Sequence, residues 1–199
     1  MKPRHKVLAT SVAAGIAAGS LSPSVINLSV QMFDHWEGRN YTAVHLRFDP
    51  PRVVTVCGGV TNYDIPTLRV GQKFTEAQCQ KLIADLIPKY AAPIEKCVHN
   101  FTKMPEHRQA ALISFVINLG PGKVCGTSIA ANLNAGRVTL ACNAMTQYVN
   151  ANGRRLRGLI NRRNDPVWGE KPWCLMKDVV TAAHPWWQRW AQRLAFWVA

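Results

Sequence analysis

The chain has 199 residues, of which 48% are apolar, enough for one domain of ordinary size with a sizeable core plus an extension. Its 24 basic residues outweigh 11 acidic ones, for a net charge of +13. An enzyme for a neutral small molecule would not require so lopsided a balance; it suggests an anionic partner, a wall polymer, a membrane surface or a nucleic acid, with a basic protein that has no such partner as the plain alternative.

Residues 1–6 carry Lys2, Arg4 and Lys6, and the next 27 positions, VLATSVAAGIAAGSLSPSVINLSVQMF, carry no charge. A basic flank followed by an apolar run reads as an export signal. The run is long enough for a bilayer core, which needs ~20 residues. It is only weakly hydrophobic, because Ala, Gly, Ser and Thr dominate and gain little from lipid. Two forms stay open: a signal peptide cleaved near Ala18-Gly19-Ser20, or an uncleaved anchor. In either, the basic flank remains cytoplasmic. The plain alternative is a buried N-terminal helix of a cytosolic protein. Past Pro23 the segment is compatible with a helix capped by Ser24, with Val25, Leu28 and Met32 on its apolar face and Gly38 ending it. Glu37 then sits at a helix end.

Residues 38–72 are irregular and β-prone. The β-branched run Val53-Val54-Thr55-Val56, closed by Gly58-Gly59, predicts two or three short strands. Thr75 and Gln78 form a capping-box start. Cys79, Leu82, Ile83, Leu86, Ile87 and Tyr90 follow on one helical face, with an end expected between Pro88 and Pro93. Pro105 suits a first helical position. From there EHRQAALISFVINLG is apolar on most faces, which predicts a buried central helix stopped by Gly120-Pro121-Gly122. Residues 128–133, 139–149 and 154–163 read as further helices. A small sheet early and many helices later give an α+β fold. The division is 1–33 as export or anchor segment, 34–183 as the main domain and 184–199 as a tail. That tail places Trp186, Trp187, Trp190 and Trp197 beside Arg189 and Arg193, a composition suited to anionic lipid or lipopolysaccharide at a membrane interface. Packing of these aromatics back on the domain is the alternative.

The six cysteines, Cys57, Cys79, Cys97, Cys125, Cys142 and Cys174, contain no C-x-x-C pair, which argues against a zinc site. An even number of scattered cysteines fits disulfides formed in an oxidising compartment and favours the periplasm. Connectivity does not follow from sequence. Pairing by sequence proximity alone gives Cys57 with Cys79, Cys97 with Cys125, and Cys142 with Cys174.

Acids are scarce early in the chain: after Asp34 and Glu37 come only Asp49 and Asp64 before residue 70. Glu37 at a helix end therefore faces a β-prone region carrying Asp49 and Thr55. Two carboxylates in different environments are what glycoside hydrolysis needs, one protonating the leaving oxygen and the other handling water or the developing positive charge. Burial beside Trp36 would raise the carboxyl of Glu37 and suit it to the acid role. On composition alone, two solvated surface acids explain the pair equally well. His35 and His45 read as surface histidines.

Four ordered segments carry a resemblance. They are Glu37-Gly38 with Asp49 and Thr55 ahead of Val56-Cys57-Gly58-Gly59; RQAALISFVINLGPG (108–122); TSIAANLNAG (127–136); and NGRRLRGLINRR (152–163). Together the chain resembles the phage-type lysozymes, the endolysins of glycoside hydrolase family 24, over about residues 33–175. The resemblance implies a lysozyme-like fold and a muramidase that cuts the β-1,4 bond between N-acetylmuramic acid and N-acetylglucosamine. Glu37 would be the general acid, Asp49 would position water or stabilise the transition state, and Thr55 would help hold that water. No metal or organic cofactor is implied. The spacing from Glu37 to Asp49 is longer than the family's usual one, Tyr148 stands where the pattern has Trp, and the acid after the paired arginines is absent or replaced by Asp165.

Residues 7–33 look like the weakly hydrophobic signal-anchor-release segment of some members. Glu37 lies four positions past the end of that run, so anchoring would hold it at the inner membrane and away from Asp49. The competing functions are a non-catalytic cationic wall-binding module and a membrane-active cationic protein. Nucleic acid is disfavoured as the partner, since no helix concentrates the basic residues beside a recognised motif. A disulfide at Cys57 reads as structural, with a redox switch as the alternative.

Overall fold

Every residue from 108 to 116 is buried, which makes the helix that carries them the centre of the molecule. In the computed structural model, residues 21–46, 52–151 and 153–177 are described. The elements in chain order are α1 (Pro23–Glu37), β1 (Thr55–Val56), β2 (Val60–Thr61), α2 (Glu76–Cys97), α3 (Glu106–Leu119), α4 (Ser128–Asn134), α5 (Val138–Met145), β3 (Asn150–Ala151), β4 (Arg154–Arg155), α6 (Arg157–Asn164) and α7 (Glu170–Leu175). Helices α1 and α7 pack most extensively on α3, and α2 closes another side. The expected buried central helix is thus α3.

Helix α1 begins earlier than the sequence reading places it. Ser22, not Ser24, is the cap, its Oγ accepting the Val25 N–H at 3.2 Å. Proline favours the first helical position because it has no N–H to lose there, so Pro23 pushes the cap back to Ser22. The Ser22 and Ser24 hydroxyls both donate to Glu106, at 2.7 and 2.6 Å, tying the start of α1 to the start of α3. These bonds, Ser24's first, hold the Glu106 carboxyl below the usual range. The buried face is Val25, Ser29, Val30, Met32 and Phe33, with Leu28 only partly covered. The helix runs past residue 33 without a break, so one face of the last third of the uncharged run lies in the core of this fold. Among the described residues no helix is long and apolar enough to cross a membrane. The first part of the proposed anchor and the whole Trp/Arg tail lie outside the described residues.

Thr75 caps α2 with both bonds of the capping box in place. The helix then continues through Pro88 and Pro93 to Cys97, past the expected end. An internal proline costs about 3 kcal/mol by removing an amide donor and crowding the preceding turn. Here the apolar face of Ile83, Ile87, Ala91 and Ile94 stays buried across both prolines, and that burial holds the helix together.

Strands β1 and β2 pair antiparallel, Thr55 with Thr61 and Val56 with Val60, around a turn in which Cys57 and Gly58 take positive φ. Isolated bridges from Thr42 to Lys73 and from Val44 to Thr55 extend this small sheet. A second hairpin, β3 with β4, was not foreseen: the helices expected over 139–149 and 154–163 are Val138–Met145 and Arg157–Asn164 instead. The Leu156 amide bonds the Val149 carbonyl at 2.9 Å, and Gly153 at φ 73 supports the reversal between the strands.

The disulfides are Cys57–Cys79, Cys97–Cys125 and Cys142–Cys174, the set expected from sequence proximity. They fasten the β1–β2 turn to α2, the end of α2 to the loop before α4, and α5 to α7. The second bridge spans 28 residues. In the chain-entropy view a loop of that order stabilises by about 3 kcal/mol. A Cys97→Ala/Cys125→Ala variant is therefore expected to melt about 6–12 °C lower by circular dichroism, and an unchanged midpoint would contradict that role.

Candidate active site

Glu37 is the last residue of α1 and lies one helical turn beyond Phe33. The two side chains line a pocket of about 250 Å³ with Gly59 from the β1–β2 turn, Tyr90 from α2, and Ile117 and Asn118 from the end of α3. Four separate stretches of chain therefore meet at one carboxylate.

That carboxylate is held from behind. Arg162 of α6 donates through Nη1 to Glu37 Oε1 at 2.5 Å, with the Glu37 side chain 27% exposed and that of Arg162 6% exposed. The rest of the Arg162 fork is also engaged. Its Nε donates to Glu170 Oε1 at 3.1 Å, and its Nη2 to the Ser114 carbonyl and hydroxyl at 3.2 and 3.3 Å. Arg163 binds the other Glu170 oxygen through Nη1, the Tyr148 carbonyl through Nε at 3.2 Å, and Asn118 Oδ1 through Nη2 at 2.5 Å. The Ser114 hydroxyl donates to Glu170 Oε1 at 2.9 Å. Burial pushes the Glu170 carboxyl up, and the two guanidiniums and Ser114 pull against it. Burial likewise pushes Arg163 down, against Glu170. With two guanidiniums on its two oxygens, Glu170 is the anion that balances them.

From the front, Asn40 links the Glu37 loop to the sheet. Its Nδ2 donates to the carbonyls of Thr42 and Thr55 at 3.1 and 3.2 Å, and its Oδ1 accepts the Gly58 N–H at 2.8 Å. Arg39 pairs with both Asp34 of α1 and Glu76 at the start of α2. Thr55 is buried in β1, where its backbone pairs with Val44 and Thr61. Asp49 lies within 47–51, outside the described residues. The structure thus brings Glu37 to a pocket and puts Thr55 in the strand that Asn40 ties to the same loop.

Tyr90 stands on the pocket wall with its phenol pushed up by burial, then by the charges of Asp64 and Glu37, so it is a neutral donor. Asp64 is anchored by Lys89 at 2.5 Å and by the Thr61 amide and hydroxyl at 3.1 and 3.0 Å. Its burial favours the neutral acid, but those partners outweigh it and set the carboxyl below the usual range.

Several expectations change. Trp36 does not provide the neighbour of the Glu37 carboxylate: its indole N–H bonds the Trp168 carbonyl at 3.0 Å, and what faces Glu37 is Arg162. Asp165 is not the acid that serves the paired arginines. Its Oδ1 accepts the amides of Val167 and Trp168, closing a local turn, and Glu170 takes the arginines. His35 is exposed and stacks on Trp168 at 4.9 Å; burial lowers its imidazole and Asp165 opposes that. His45 Nδ1 meets the Val53 carbonyl at 2.7 Å. The sequence alone gives no role to Ser114, Asn118, Arg162 or Arg163, although all four lie inside the segments that carry the resemblance.

Residues 34–166 match the family described as Phage lysozyme. The chain belongs to the phage lysozyme family. Among its relatives is a SAR-endolysin of Bacteriophage PS119, 31% identical over 172 residues, covering 82% of this chain and 96% of the relative. A SAR-endolysin of Enterobacteria phage PA-2 is 29% identical over 171 residues, 82% of this chain and 98% of the relative. Of solved structures, the muramidase domain of SpmX from Asticaccaulis excentricus superposes with a TM-score of 0.63 at 24% identity, covering 79% of this chain and 98% of that one. The fold of this phage lysozyme family member is therefore the lysozyme-like α+β fold. The family match begins at Asp34, yet the part of α1 before it is packed into the same core.

Proposed function

We propose that this chain is an endolysin muramidase that hydrolyses the β-1,4 bond between N-acetylmuramic acid and N-acetylglucosamine in peptidoglycan and thereby lyses the bacterial host. The observation that carries the reading is Glu37 on the wall of a pocket, its carboxylate fixed by Arg162. Family membership and the SAR-endolysin relatives support the substrate class. Glu37 is the general acid: it gives its proton to the glycosidic oxygen as the bond to the sugar carbon breaks. Asp49 positions water or stabilises the oxocarbenium-like charge on the sugar ring, and Thr55 helps hold that water. The net charge of +13 draws the protein to an anionic wall.

The enzyme acts in the host periplasm and starts tethered to the inner membrane by residues 1–33. The SAR-endolysin relatives support the tether; Val25, Met32 and Phe33 are buried against the domain in this fold, so under this reading they must leave lipid first. The domain that carries Glu37 is complete only after release. We assign the tail, 184–199, to contact with anionic lipid or lipopolysaccharide.

Turbidity of purified Gram-negative sacculi, followed together with reducing-end release, tests the enzymatic reading. Clearing with new reducing ends is expected. Binding to the sacculi without new ends would instead identify a wall-binding module.

A further inference from the structure

Glu170 has no contact with the pocket, yet it grips both arginines that reach it. We propose that Glu170 is a positioning residue for glycosidic cleavage, holding Arg162 and Arg163 so that each presents one N–H to a polar side chain of the pocket. The inference rests on the muramidase reading above.

The geometry is a fork with one buried stem. Glu170 is fully buried. Its Oε1 accepts from Arg162 Nε and Ser114 Oγ, and its Oε2 accepts from Arg163. Each guanidinium is planar and rigid, so fixing two of its nitrogens fixes the third. For Arg162 the fixed partners are Glu170 and Ser114, and the remaining Nη1 meets Glu37 at 2.5 Å. For Arg163 they are Glu170 and the Tyr148 carbonyl, with the Phe115 ring 4.8 Å from the guanidinium carbon, and the remaining Nη2 meets Asn118 Oδ1 at 2.5 Å. Glu37 and Asn118 both line the pocket. One buried carboxylate therefore sets the position of two pocket groups that lie on different helices.

The charges agree with this role. Glu170 is the carboxylate that both Arg162 and Arg163 bind, and Glu37 meets only the remaining N–H of Arg162. Without Glu170, two buried guanidiniums are left with Glu37 as their carboxylate partner, and the fork loses its fixed end. A buried ion pair contributes little net stability compared with apolar packing of the same volume, whereas its geometric constraint is specific. A carboxyl misplaced by about 1 Å from a reacting oxygen can lose on the order of 100-fold in rate.

The test measures kcat and KM on solubilised peptidoglycan strands for wild type, Glu170→Gln, Arg162→Lys and Leu133→Ala. Leu133 is buried in α4, away from the pocket, and serves as a destabilised control. Glu170→Gln keeps the shape and loses the charge. Arg162→Lys keeps the charge and loses the fork, so it serves as the reporter if Glu170→Gln does not fold. The expected result is a fall in kcat of about 10–100-fold in both variants with KM within about 2-fold of wild type. Leu133→Ala, melting as low as or lower than either, retains wild-type kcat at 20 °C. Wild-type kcat in a folded Glu170→Gln or Arg162→Lys overturns the proposal, as does an equal kcat loss in Leu133→Ala. Failure of the wild type itself to cleave the strands would instead defeat the muramidase reading.

Discussion

Glu37→Gln is expected to abolish wall clearing in a protein that still folds. Positioned general acids contribute about 10²–10⁴ in rate, and the carboxamide removes the transferable proton at almost constant volume. Its oxygen can still accept from Arg162 Nη1, and Arg162 keeps Glu170 and Ser114 as partners. The fold should therefore lose no more than about 1.5–3 kcal/mol, the scale of one hydrogen bond to a charged group. Clearing rate and melting temperature are read on the same preparation. A rate within 2-fold of wild type would remove Glu37 from the chemistry.

Gly58→Ala is the substitution expected to damage the site most from outside it. A Cβ at Gly58 would lie 2.2 Å from the Gly38 carbonyl oxygen, and the backbone there already takes φ +84°. Gly38 follows Glu37 directly, and the Gly58 amide is held by Asn40. Relief of the clash must move either the end of α1 or the β1–β2 turn. Gly71 offers the comparison: its φ is +83°, but nothing lies within 4 Å of its Cβ position. Gly71→Ala meets conformational strain alone, about 1–2 kcal/mol. Gly58→Ala adds a backbone collision, for about 3–5 kcal/mol in total. Urea denaturation gives both values. Clearing activity should fall with Gly58→Ala and survive Gly71→Ala. Equal destabilisation by the two would mean the α1 end and the turn are not held in contact.

Much of this was legible in the chain because local signals agreed with the packing. The pattern of 108–119, apolar on most faces, points to a buried helix, and Thr75 with Gln78 marks a start that tertiary contacts do not disturb. Cysteines paired two by two in chain order are also the pairs in the fold, since each bridge joins neighbouring elements. Misreadings came where distant contacts decide. Pro88 and Pro93 look like helix ends until the burial of Ala91 and Ile94 is known. Residues 154 and 155 read as part of a helix and 150–153 as the break before it, because a two-residue strand has too few positions to show its alternation. Glu37 was legible as an acid at a helix end, but not its neighbour: Arg162 is 125 positions away. Glu170 gave no signal, because the local turn at Asp165 lengthens the spacing from the paired arginines to the acid that serves them.

The identity of the new reducing end decides which glycosidic bond is cut. Sacculi digested to completion are reduced with borohydride, and the muropeptides are separated and weighed by mass spectrometry. A muramidase leaves N-acetylmuramitol at the reduced ends, formed by wild type and not by Glu37→Gln. Reduced N-acetylglucosamine ends, or anhydromuramyl products with no reducible end, would contradict a muramidase.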